Sequence, residues 1–147
     1  MPIWKTIATV EDLNAHLTGT MCEHVDIRIT EVGKDFLRGT MPVNEKTQQH
    51  MGIVHGGASC VLAETLGSIA AYLCVEPGHH CVGLDINANH IRPGKAPYLT
   101  GTASPLHVGR KTQVWEIRIT DIDDKLVCIS RLTVAVVESD YENPFTK

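Results

Sequence analysis

Aromatic residues are scarce in this chain of 147 residues, at 5%, and positive charge is not in excess, since 13 Lys and Arg stand against 17 Asp and Glu for a net charge of −4. Such a surface has no general attraction for nucleic-acid phosphates, and it offers few rings to stack on bases, so no nucleic-acid partner is expected. No apolar run reaches membrane-spanning length without a charge or glycine inside it, and the first residues, Met1-Pro-Ile-Trp-Lys-Thr6, lack a secretory apolar stretch. A cytoplasmic protein without membrane contact is the expectation. The five cysteines (Cys22, Cys60, Cys74, Cys81, Cys128) are odd in number and contain no Cys-x-x-Cys, which speaks against a disulfide framework or a thiolate zinc site. Cys60, Cys74 and Cys128 lie in apolar surroundings and read as small core residues. Among eight histidines, His50 and His55 are five apart and His79-His80 adjacent, so neither pair has the spacing of helical metal ligands and no metal is expected. Gly-x-Ser-x-Gly is also missing, which removes the α/β-hydrolase route to ester chemistry.

What is present centres on residues 55–75, His-Gly-Gly-Ala-Ser-Cys-Val-Leu-Ala-Glu-Thr-Leu-Gly-Ser-Ile-Ala-Ala-Tyr-Leu-Cys-Val. The pattern predicts one long helix, apolar on almost every side, and a helix of that kind is buried. Glu64 is its single charge, and a carboxylate taken from water must be compensated or put to use. Gly56 and Gly57 stand at the helix start, where backbone N–H groups lack partners and a ligand can come close.

Around that helix the chain reads as one domain spanning residues 1–147, with a loose polar tail from about 138 to 147. Thr9 is expected to cap a short amphipathic helix running to Leu17. Strands are expected at Val25–Thr30 and Phe36–Val43, with Gly33-Lys-Asp35 as the turn between them and a loop from Asn44 to Val54 before the helix. Four more strands are expected near 81–92, 96–106, 111–121 and 125–137, with Trp115, Ile117 and Ile119 on one face. The last is apolar on both faces and should be central. Two strands, a long helix and four strands suit a curved antiparallel sheet wrapped around the helix, with a second subunit covering what one sheet cannot.

Three segments carry a resemblance: Gln49-His-Met-Gly-Ile-Val-His-Gly-Gly-Ala-Ser followed by Ala-Glu-Thr-Leu-Gly-Ser, Val82-Gly-Leu-Asp-Ile-Asn-Ala-Asn-His-Ile-Arg-Pro, and Pro105-Leu-His-Val-Gly-Arg-Lys-Thr-Gln-Val-Trp-Glu. Over Trp4 to about Val137 the chain resembles the hotdog-fold thioesterases of the PaaI type. Within them it is most similar to the group of small acyl-CoA hydrolases that includes the 1,4-dihydroxy-2-naphthoyl-CoA hydrolase and the enterobactin proofreading thioesterase. The resemblance implies an α+β hotdog fold, dimers sharing a continuous sheet, commonly a dimer of dimers, and active sites at the dimer interface. There the helix glutamate of one subunit faces the glutamine–histidine loop of the other. His50 stands where the relatives carry an apolar residue or proline, which bears on loop shape.

On this basis Glu64 is expected to be the catalytic carboxylate, as nucleophile or as the base that activates water; sequence leaves that choice open. The Gly56 amide is the expected oxyanion donor, although both glycines also suit a tight turn. His55 and Gln49 are expected to position the thioester carbonyl or the attacking water, while His55 taken alone reads equally as a cap. Ser68, four residues after Glu64 on the same helical face, is expected to contact substrate or water, or simply to pack. Between Ile86 and Trp115 there is no Asp or Glu, but there are Arg92, Lys95, Arg110 and Lys111. By the resemblance, Val82, His90, Arg92, Gly109, Arg110 and Lys111 bind coenzyme A, whose phosphates suit such charges; solvated turn charges are the plain alternative.

The expected activity is hydrolysis of an aryl- or acyl-CoA thioester, of dihydroxynaphthoyl or hydroxybenzoyl type among others, by a homo-oligomer. No cofactor is needed beyond the coenzyme A that is part of the substrate. The alternatives are a thioesterase acting on an acyl or aryl carrier protein and a non-catalytic acyl-CoA-binding regulator. A hotdog hydratase lacks its differently spaced helix motif here, and a Cys60 acyltransferase lacks a histidine near it in sequence.

Overall fold

The computed structural model describes residues 1–145. Helix α1 spans Val10–Leu17 and opens with a reciprocal cap, in which the Thr9 hydroxyl accepts from the Asp12 N–H and the Asp12 carboxylate accepts from the Thr9 N–H. A short helix α2, Met21–His24, follows and was not expected. Strands β1 (Arg28–Val32) and β2 (Leu37–Pro42) form a hairpin, so the first strand starts three residues later than the alternation suggested. The long helix α3 runs Gly56–Leu73. The remaining strands are β3 (His79–His90), β4 (Tyr98–Val108), β5 (Thr112–Thr120) and β6 (Leu126–Glu138).

All six strands join one antiparallel sheet in the order β1-β2-β4-β5-β6-β3. β6 is internal, as its two apolar faces require, whereas β3 is an edge. The concave face holds α3, so the expected helix-in-sheet architecture is present. Leu62, Leu66 and Ala70 of α3 meet Leu99, Trp115, Ile117, Ile119 and Leu132 of the sheet in a fully buried core. Each such side chain contributes roughly 1.5–3 kcal/mol of burial. Gly39, Gly67 and Gly101 let helix and sheet approach closely: a methyl group on Gly101 would sit 2.6 Å from Leu66 Cδ1.

The N-terminus closes the open end of this layer. Trp4 stacks on Trp115 with ring centroids 6.2 Å apart, and its indole N–H donates to the Gly33 carbonyl. Buried Gln113 donates from Nε2 to the Ala71 carbonyl near the end of α3 and accepts from Trp115 Nε1 through Oε1, so a polar residue facing the core is satisfied at both ends. The C-terminal segment is docked as far as Phe145 and is not loose there. Asn143 is 8% exposed and donates to the Tyr72 carbonyl, and Phe145 packs edge-on against Tyr72 and His16; residues 146 and 147 lie outside the described residues. No helix among the described residues is long and apolar enough to cross a membrane.

Candidate active site

The loop before α3 is built around a buried threonine. Thr47 donates its hydroxyl to the Pro42 carbonyl and accepts from the Asn44 N–H, and its own carbonyl accepts from the His55 N–H. Two residues on, the Gln49 side-chain carbonyl accepts from the Met51 N–H and the Gln49 N–H donates to the Ile53 carbonyl. These bonds close a tight turn, with Gly52 at φ 77°, and leave the Gln49 side-chain NH₂ free of that turn. The chain then enters α3 through His55.

His55 is the N-cap of α3, and its Nδ1 accepts from the Gly57 N–H at 2.8 Å. Accepting there requires an unprotonated Nδ1 and leaves the ring proton on Nε2. The Ala58 and Ser59 N–H groups both donate to the His55 carbonyl. Of the four amides at the helix start, that of Gly56 alone has no acceptor among the described residues. It carries the positive end of the helix dipole and is free to polarise a carbonyl oxygen.

The two glycines have a further role that their sequence did not convey. Neither has a positive φ, so neither is required by backbone conformation. A methyl group on Gly56 would lie 2.9 Å from His90 Nε2, and one on Gly57 would lie 2.9 Å from His55 Nδ1. Each missing side chain is replaced by an imidazole, His90 from the end of β3 and His55 from the cap. Gln49, Gly56, His90 and Arg92 line one open cleft of about 360 Å³, together with Val54 and Gly94.

Glu64 is not buried within the chain, contrary to expectation. The sheet covers α3 on most sides, with α2 against one edge, but leaves a strip in which Gly57 and Glu64 are exposed and Cys60, Val61, Thr65 and Ser68 are half-buried. The carboxylate faces β3, where Gly83 leaves room for it, since a methyl group on Gly83 would be 3.4 Å from Glu64 Oε1. Ser68 lies one turn further along this strip, as its spacing required. Thr65 on its neighbouring edge contacts the Cys22 thiol at 3.4 Å. Burial pushes the Cys74 and Cys81 thiols up to about 12 and Cys128 to about 11, which keeps them protonated and unreactive.

The structure divides the predicted coenzyme A residues. His90 and Arg92 stand at one end of β3, where the Arg92 guanidinium donates to the Leu126 carbonyl. Gly109, Arg110 and Lys111 form the β4–β5 turn at the other end, beside the start of β3, and the Lys111 carbonyl there accepts from Val136 N–H. They line a separate cavity of about 680 Å³ with Lys5, Glu76 and His79. The nine residue steps of β3 from Cys81, beside Lys111, to His90 hold the two groups about 30 Å apart in one chain. Val82, 45% exposed, sits between them near Glu64.

A separation of the same kind applies to the two candidate reactive groups. Glu64 is eight residues beyond Gly56, about 12 Å along the axis of α3. One carbonyl cannot accept from the Gly56 amide at about 3 Å and be attacked by the Glu64 carboxylate of the same helix.

Comparison with known proteins identifies the family and the fold. Residues 51–128 match the family model described as the thioesterase superfamily. The chain is 49% identical to the 1,4-dihydroxy-2-naphthoyl-CoA hydrolase of Escherichia coli, covering 92% of this chain and 99% of that one. It is 47% identical to the proofreading thioesterase EntH of Cronobacter turicensis, covering 92% and 98%. A solved thioesterase structure from Haemophilus influenzae superposes with a TM-score of 0.92 at 45% identity, covering 95% of this chain and 97% of that one.

Proposed function

Since the chain belongs to the thioesterase superfamily and has its hotdog fold, we propose that it hydrolyses an aryl- or acyl-CoA thioester with Glu64 as the reacting carboxylate and the Gly56 amide as the oxyanion donor. The observation that carries this reading is the open Gly56 N–H at an otherwise satisfied helix start. As the thioester carbon is attacked, an electron pair moves onto the carbonyl oxygen, and the fixed N–H stabilises that charge. Glu64 either removes a proton from the attacking water, after which the coenzyme A thiolate leaves and the acid is formed, or attacks the carbon directly, in which case the thiolate leaves an acyl–Glu64 anhydride that water then cleaves to the acid and the free carboxylate. The His55 Nε2–H and the Gln49 NH₂ are available to orient carbonyl or water, and Ser68 to contact the acyl side.

The 12 Å between amide and carboxylate supports a site assembled from two protomers. The edge strand β3, with exposed Val82 and Leu84, is the surface for it. Antiparallel pairing of β3 with its own copy sets the start of one strand beside the end of the other. That brings Arg92 of one protomer toward the Gly109-Arg110-Lys111 turn of the partner, and a coenzyme A nucleotide spanning both accounts for the divided basic residues. The name of the 1,4-dihydroxy-2-naphthoyl-CoA hydrolase among the relatives favours an aromatic acyl group of that type.

The test is thiol release from a panel of aryl- and alkyl-CoA esters by wild type and Glu64→Gln. A loss of about 10³-fold or more in the variant is expected. Turnover unchanged by the substitution removes Glu64 from the chemistry. Tight coenzyme A binding without turnover shifts the substrate to a carrier-bound thioester.

A further inference from the structure

We propose that His90 is a second oxyanion donor, acting beside the Gly56 amide on the same carbonyl oxygen. The inference rests on the thioesterase reading of the cleft and extends it. Three atoms of the His90 ring crowd the place of the missing Gly56 side chain, with Nε2 nearest at 2.9 Å, Cε1 at 3.1 Å and Cδ2 at 3.5 Å. The backbone nitrogen of any residue lies about 2.5 Å from its Cβ position by covalent geometry. His90 Nε2 is therefore within about 5.4 Å of the Gly56 nitrogen. An oxygen that accepts at about 2.9 Å from two donors can bridge donors up to about 5.8 Å apart. The two nitrogens are thus close enough for one oxygen to reach both.

Three further observations place the ring for this task. Neither nitrogen of His90 has a hydrogen-bond partner among the described residues, so its capacity to donate is not spent within the chain. The ring also faces the same cleft as Gln49 and Gly56. It is carried at the last ladder position of β3, paired with Cys128, so its backbone is fixed by the sheet. Such a donor needs only a proton on Nε2 and gives up nothing covalently. The electron pair that arrives on the oxygen during attack returns to the carbon when the thiolate leaves, and His90 keeps its proton throughout. A backbone amide alone offers one hydrogen bond to an oxyanion; the imidazole supplies the second, directed at charge that exists only in the transition state.

The competing role for His90, a contact to the coenzyme A nucleotide, predicts a different result with a truncated substrate. The probes are benzoyl-CoA and S-benzoyl-N-acetylcysteamine, which keeps the thioester and lacks the nucleotide. His90→Ala is expected to lower kcat about 10²-fold on both, with the inhibition constant of free coenzyme A unchanged. His90→Gln, which keeps an N–H donor at similar reach, is expected to recover part of the loss. A defect confined to benzoyl-CoA, or none on either probe, overturns the proposal. So does a rise in the coenzyme A inhibition constant that accounts for the whole effect. Glu64→Gln measured alongside separates the two readings: if that variant keeps full activity, the site itself is misassigned, whereas its loss together with an unaffected His90→Ala removes His90 alone.

Discussion

Replacing Gly56 by alanine separates stability from activity. The backbone at Gly56 does not have a positive φ, so alanine can adopt it, and the substitution exchanges the poorest ordinary helix former for the best. That gain is at most about 1 kcal/mol and is smaller in the first turn. Against it stands the new methyl group, 2.9 Å from His90 Nε2. The contact is too short to survive, but the neighbour is the far end of an exposed side chain at the end of an edge strand. The ring can turn away at a cost of about 0.5–1.5 kcal/mol. The two effects nearly cancel, so the melting temperature is expected to move by no more than about 4 °C, on the usual 2–4 °C per kcal/mol for a chain of this size. Activity has no such compensation, because the methyl group stands beside the open amide and displaces the imidazole that shares its cleft. A loss of about 10²-fold in kcat/KM follows. Thermal unfolding followed by circular dichroism and thiol release from benzoyl-CoA measure both quantities on one preparation. Activity within twofold of wild type, or a fall of more than about 8 °C in melting temperature, would refute the reasoning.

Three other perturbations test separate parts of the structure. Gln113→Ala strands the Trp115 indole N–H in the core, while the Ala71 carbonyl keeps the Cys74 N–H, and is expected to cost about 1–3 kcal/mol, seen as a lower urea midpoint. Leu84→Lys, on the 62%-exposed face of β3, leaves the protomer folded but is expected to yield monomers without thioesterase activity in size-exclusion and turnover assays; an active monomer refutes the two-protomer site. Cys74 and Cys81 have thiols raised from 9.0 to about 12, so the folded state holds protons that the unfolded chain releases in alkali. Their contribution to stability is complete below pH 9 and lost between about 9 and 12, so the urea midpoint falls as pH rises through that range, and a flat profile counts against burial of these thiols.

Much of this arrangement was legible in the sequence where one physical rule acts alone. Alternation put Trp115, Ile117 and Ile119 on one face, and all three are fully buried. The apolar run after His55 gave α3 to within two residues at its C-terminal end. Helix α2 was missed because four residues are too few to show a period. The exposure of Glu64 was missed for a different reason: an all-apolar helix signals burial, but its pattern does not say whether this chain or another does the burying. The basic residues between Ile86 and Trp115 are close in sequence yet divided in space, because β4 carries the chain the length of the sheet between Arg92 and Arg110. For the glycines at 56 and 57, sequence suggested room for a ligand, while the histidine that fills the first space comes from a strand 34 residues away. No local pattern encodes that contact.

The eight-residue spacing between Gly56 and Glu64 has a genetic consequence. Where the proposed site takes its amide and its carboxylate from different protomers, each two-fold pair holds two sites, and each site takes one of the two groups from each chain. A protein crippled at Gly56 and another crippled at Glu64 are each inactive alone. When their chains are refolded together, a mixed pair gathers both lesions into one site and leaves the other whole. Random pairing makes half the pairs mixed, so about a quarter of wild-type activity returns from two dead parents. A helix that served its own carboxylate with its own amide could never complement in this way.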